Sequence, residues 1–122
     1  MGSPVAVVFD PIRDGWDHSI ERARLASRGV ALVEPATREE AERAIAGADV
    51  VVVTAGPFGA GQIVRLRGCV GILCYSVGTD AVDAQAAAAA GIPVANVPDY
   101  CTEEVADHAL ALLLAADAGY RP

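Results

Sequence analysis

The sequence predicts an α/β fold: a flavodoxin-like, doubly wound sheet of five parallel strands, ending in a helix that leads out of the domain as an interdomain hinge. Three observations predict it. Short β-branched runs alternate with helical stretches five times in 122 residues, the pattern of repeated strand–helix–strand units. Apolar residues make up 53% of the chain but aromatics only 5%, so the interior is mostly Ala and Val, small enough for helices to lie closely on a buried sheet. The loops between the runs are short, and right-handed crossovers then favour a flavodoxin-type strand order.

The elements follow in order. Val5–Phe9 is a strand, and Trp16–Ser27 a helix with Ile20 and Ala23 at helical spacing. Val30–Val33 is the second strand. Thr37-Arg38-Glu39-Glu40 has the form of a capping box and opens a helix to about Ala46. Val50–Val53 is all valine, as suits a strand without a solvent face. A Gly56-Pro57-Phe58-Gly59 loop leads into a helical turn at Gln62–Leu66, and Val70–Tyr75 is the fourth strand. Asp83 caps an alanine run to Ala90, which Gly91 ends from the C′ position. Ile92-Pro93-Val94 begins a short fifth strand. Thr102 caps the last helix, through about Ala118, with Glu103 and Glu104 where the helix dipole favours them.

Composition narrows the function classes. Nine arginines, no lysine and sixteen acidic residues give a net charge of −7. A nucleic-acid partner needs a basic stripe, and an anionic membrane surface needs basic clusters; neither is present. Cys69, Cys74 and Cys101 form no C-x-x-C pair, so neither a disulfide framework nor a metal site is expected, and a reducing cytoplasm is. Met1-Gly2-Ser3-Pro4 does not read as a signal peptide, and Ala109–Ala116 is too short to span a bilayer.

In a sheet of this kind ligands bind beyond the carboxyl ends of the strands, which selects three loops. Ala55–Gly61 is glycine-rich but matches neither G-x-G-x-x-G nor G-x-x-x-x-G-K-[ST], and reads as a flexible connection. In Ser76–Asp80 successive backbone N–H groups could form a nest for a carboxylate; a turn capped by Asp80 is the other reading, and the residues alone leave both open. The third loop carries Asn96, Pro98, Tyr100 and Cys101. A Cys101–His108 nucleophile pair fails on distance, since two helical turns separate them by about 10 Å. No catalytic residue is assigned.

The run Tyr75-Ser76-Val77-Gly78-Thr79-Asp80-Ala81-Val82-Asp83, followed by Gly91-Ile92-Pro93-Val94-Ala95-Asn96-Val97-Pro98-Asp99-Tyr100-Cys101-Thr102-Glu103-Glu104-Val105-Ala106-Asp107-His108, resembles the D-isomer-specific 2-hydroxyacid dehydrogenases. It looks most like their C-terminal-binding-protein and phosphoglycerate dehydrogenase branch. The resemblance implies hydride transfer between NAD or NADP and a small 2-hydroxy or 2-keto acid. It implies that Val77 and Gly78, beside Ser76, hold the substrate carboxylate through backbone amides, and that Tyr100 lies beside the substrate. It also implies that Val77, Thr102 and Val105 fall near the nicotinamide end of the cofactor. Pro57-Phe58 is similar to a pair that closes the pocket in formate dehydrogenases.

The chain departs from the family pattern where Cys74-Tyr75-Ser76 replaces Arg-Tyr-Gly. The family's cofactor-binding glycines, substrate arginine and carboxylate–histidine relay lie downstream of the matching segment, and neither His18 nor His108 fits them. The expectation is a substrate-binding domain at 1–101 and a hinge helix at 102–122, leading towards an NAD-binding domain that acts in cis or in trans. Alone, this piece is expected to be inactive and to hold no cofactor tightly. Its Leu110, Leu112, Leu113 and Leu114 favour self-association. The alternative is a free-standing, non-catalytic module that binds a small acid or a protein.

Overall fold

The computed structural model describes residues 2–9, 17–54 and 56–119. Five parallel strands form one sheet: β1 (Val5–Val8), β2 (Ala31–Val33), β3 (Val50–Val53), β4 (Gly71–Cys74) and β5 (Val94–Ala95), in the order β2-β1-β3-β4-β5. This is the flavodoxin order that the alternation predicts. The helices are α1 (Ser19–Ala26), α2 (Arg38–Ala44), α3 (Ala60–Ile63), α4 (Ala84–Ala89) and α5 (Thr102–Asp117), with a 3-10 turn at Ile45–Gly47.

The caps explain several boundaries. Thr37 is extended, and its hydroxyl accepts from Glu40 N at 3.2 Å. The return arm of the capping box lands one residue early, with Glu40 accepting from Ala36 N at 2.8 Å. Asp83 accepts from Ala86 N at 2.9 Å, and Gly91 follows α4 with φ 70°, a conformation open to glycine. α3 starts at Ala60, earlier than its apolar pattern indicates, because the Gln62 side chain accepts from Gly59 N at 3.0 Å. β5 starts later than Ile92: that residue's N–H returns to Ala87 O, and Pro93 has no N–H to give.

Two expectations need correction. Thr102 does not cap α5 but is its first helical residue. The N-cap is Cys101, which sits in the left-handed region (φ 50°, ψ 22°) with no side-chain cap bond. A capping side chain needs extended backbone, which this position lacks. The helix expected from Trp16 begins at Ser19; residues 10–16 lie outside the described residues.

The two faces of the sheet are unequal. Register places Val7 beside Val51, Val51 beside Ile72, and Val53 beside Cys74. These five are buried, packed with Phe9, Ala41, Ile45, Phe58, Ile63 and Ala87 under α2, α3 and α4. On the opposite face Val8, Val52 and Leu73 form a row with, among the described residues, α1 alone nearby, and α1 buries none of its residues. Between α1 and the sheet an apolar hollow of about 460 Å³ remains, reaching from Leu25 to Leu73 and Tyr75. Ile20 is 73% exposed, so its helical spacing does not carry it into the core. α5 does not cover this face either, since none of its residues is buried.

Candidate functional site

Parallel strands bring their following loops to one edge of the sheet. The loop after β3 is tied to the one after β4: Phe58 N donates to Ala81 O at 2.7 Å, and Asp83 N donates to Phe58 O at 3.0 Å. The loop after β4 is tied to the one after β5. Val97 N donates to Ser76 O at 3.0 Å, and Asn96 Nδ2 donates to Val77 O at 2.6 Å. Within the β4 loop, Ser76 Oγ donates to Gly78 O at 2.7 Å.

These bonds use carbonyl groups and leave amides. Among the described residues, no acceptor takes the N–H of Val77, Gly78 or Thr79. The three are consecutive and the loop is open to solvent: Val77 is 46% exposed and Gly78 is exposed. Successive free N–H groups in a turn are an anion-binding concavity. Among the described residues none of these amides donates to the Asp80 carboxylate. That carboxylate lies on the Cα side of Gly78.

The other sequence-predicted residues are placed unevenly. Ser76 is half-buried; Tyr100 is 49% exposed on the β5 loop; Thr102 and Val105 are exposed on the first turn of α5. Phe58 is not at the surface. Its ring is fully buried against Phe9, so it has no face to offer a substrate in this structure and acts on the site only through its backbone bonds. Asn96 was a loop residue without a role in the sequence, yet it makes the shortest contact in this cluster.

Electrostatics nearby are set by three groups of contacts. The Tyr75 hydroxyl donates to Glu21, which holds the Glu21 carboxyl below its ordinary range and pushes the phenol up. Arg22 pairs with Glu34 and keeps that carboxyl low as well, assisted by His18, whose Nδ1 lies 2.8 Å from it. Burial pushes the Cys74 thiol up, so the residue that stands where the resemblance expects arginine is a neutral core group. Among the described residues no group of three His, Cys, Asp or Glu side chains could hold a metal, and no helix is long and apolar enough to cross a membrane.

This fold recurs in known proteins. The glyoxylate reductase of Pyrococcus furiosus is 54% identical over 41 residues, which are 34% of this chain and 12% of that protein. The crystal structure of the TT0316 protein from Thermus thermophilus superposes with a TM-score of 0.75 at 33% identity, over 91% of this chain and 36% of that one. An NADPH-dependent glyoxylate/hydroxypyruvate reductase from Sinorhizobium meliloti gives 0.68 at 26% identity, over 94% of this chain and 35% of that one. The chain thus spans little more than a third of these solved relatives. The model of the D-isomer specific 2-hydroxyacid dehydrogenase catalytic domain matches residues 6–118, and the chain belongs to that family.

Proposed function

We propose that this chain is the substrate-binding part of an NAD- or NADP-dependent D-2-hydroxyacid dehydrogenase acting on a short 2-keto or 2-hydroxy acid. The observation that carries the reading is the set of three consecutive unpartnered amides at 77–79, at the carboxyl end of β4. An acidic protein meets an anion best with neutral N–H dipoles that need no counter-charge.

In this reading Ser76, Val77 and Gly78 surround the substrate carboxylate, and the Tyr100 ring lies beside the rest of a small acid. Phe58 serves from the core, by fixing the loop between Ala81 and Asp83. The bound cofactor would supply the hydride. Toward it this chain offers the exposed Val77, Thr102 and Val105, two apolar side chains and a hydroxyl suited to the uncharged nicotinamide end. α5 carries no basic residue in its last turn and two acidic ones in its first, so the pyrophosphate would be held by an NAD-binding domain, in cis or in trans. The boundary falls between 1–101 and 102–122, with Cys101 at the hinge. Within the family, the motif segment favours the C-terminal-binding-protein and phosphoglycerate dehydrogenase branch. The free thiols of Cys69, Cys74 and Cys101 fit a reducing cytoplasm.

Amide NMR during titration with oxamate, a stable 2-keto-acid mimic, tests the reading. Shifts at residues 77–79 and at Tyr100, absent with the neutral ester ethyl oxamate, are the expected result. Saturating oxamate without a response at 77–79 would refute it.

A further inference from the structure

We propose that Asn96 and Ser76 are positioning residues for the substrate carboxylate: each holds one peptide plane whose N–H points at it. The inference rests on reading residues 77–79 as the carboxylate site, and extends it to side chains that need not touch the substrate.

The argument follows from the peptide unit. In a trans peptide the C=O of one residue and the N–H of the next lie in one plane and point in opposite directions. No described peptide is cis. Fixing a carbonyl therefore aims the following amide. Ser76 O is held by Val97 N at 3.0 Å, which sets the Val77 N–H. Val77 O is held by Asn96 Nδ2 at 2.6 Å, which sets the Gly78 N–H. Gly78 O is held by Ser76 Oγ at 2.7 Å, which sets the Thr79 N–H. Three consecutive planes are fixed by three separate donors, each on the side away from its amide.

The donors differ in kind. The Val97 contact is a main-chain bond that prolongs the β4–β5 pairing, and almost any residue could make it. The other two depend on side chains. They matter because Gly78 is exposed, and glycine has the widest backbone freedom. An untethered loop would have to order its amides at the moment of binding, and that cost is subtracted from affinity. Ser76 stands where the family pattern has glycine, which has no hydroxyl to give. The third tether therefore rests on the Ser76 hydroxyl.

The test uses the full 122-residue chain, ¹⁵N-labelled, as wild type, Asn96→Ala, Ser76→Gly and Ser76→Thr. Without ligand, ¹⁵N relaxation should show lower order at the Gly78 amide in Asn96→Ala and at the Thr79 amide in Ser76→Gly. Val77 should change in neither, and Ser76→Thr, which keeps a hydroxyl, should restore Thr79. A merely structural role would loosen the whole loop or lower the melting temperature instead. Oxamate affinity should fall about five-fold in each of the two deletions, the worth of one net hydrogen bond, and stay near wild type in Ser76→Thr.

If wild type binds oxamate at 77–79 and the deletions keep both affinity and amide order, the positioning role is overturned while the carboxylate site stands. If the order changes as expected but wild type binds no oxamate, the carboxylate reading falls and takes the positioning role with it. Should Asn96→Ala fail to fold, Ser76→Gly decides alone, since it installs the residue of the family pattern.

Discussion

Phe9 and Phe58 meet edge to face, their ring centroids 4.7 Å apart and their planes at 87°, and the Arg38 guanidinium lies 3.9 Å above the Phe9 ring. Phe9 follows β1, and Phe58 sits in the loop after β3, so the core is joined to the loop that Phe58 ties to Ala81 and Asp83. Phe58→Ala should cost about 3–5 kcal/mol, the usual penalty for emptying a buried aromatic site. Phe58→Leu should cost far less. Urea unfolding midpoints at neutral pH provide the check; a loss below about 1 kcal/mol in the alanine variant would contradict the burial.

The Glu21–Tyr75 pair makes stability depend on pH. Glu21 is lowered in the folded state from its ordinary 4.5, so its contribution is present above that value and fades as pH falls through the lowered one. Tyr75 is raised from its ordinary 10.0, so its contribution is present below that value and is lost as pH climbs through the raised one. The contribution of this pair should be flat between these limits and fade on both sides. Tyr75→Phe should soften both limbs while costing about 1 kcal/mol at pH 7, the net worth of one partly buried hydrogen bond. Denaturation midpoints across the pH range test this, and unchanged limbs in the variant would count against it.

Cys101 has φ 50° at the start of α5, where a Cβ is disfavoured. Cys101→Val should destabilise the domain by about 1–2 kcal/mol, since β-branched residues tolerate this region worst. Cys101→Asn should be neutral or slightly stabilising. Thermal denaturation of the two variants separates a backbone effect from a role of the thiol.

Self-association is the fourth expectation. Leu110, Leu112, Leu113 and Leu114 are each 57–68% exposed on α5, an apolar surface of the kind that seeks a cover. Sedimentation velocity should reveal growing association with concentration, weakened by the pair Leu113→Glu and Leu114→Glu. A wild type that stays strictly monomeric at high concentration would exclude it.

What was legible in the sequence was local. Thr37 and Asp83 announce their helices because a cap acts within three residues. Four valines in a row mark a strand, but not its burial: Val51 and Val53 are buried, while Val50 and Val52 are half-buried. The run of amides at 77–79 could be singled out because consecutive N–H groups are also a local matter. The rest depends on register. Asn96 reaches Val77 across 19 residues, and His18 reaches Glu34 across 16; such pairs form only once strands are aligned, and no spacing rule encodes them. Phe58 deceived in the opposite direction. The resemblance implied that Phe58 closes the pocket, whereas its ring is buried edge to face against Phe9. Cys101 gave no signal, since nothing in its side chain announces a left-handed backbone.

The hollow beneath α1 has a consequence for how the domain breathes. Ser19–Ala26 is clasped to the body by polar contacts, Tyr75 on Glu21 and Glu34 on Arg22, and by no buried side chain. Such a helix can lift in small fluctuations without opening the sealed face. Its amides should exchange with deuterium well before those around Ala41, Ile72 or Val51, so the fold has a fast half and a slow half divided by a single sheet.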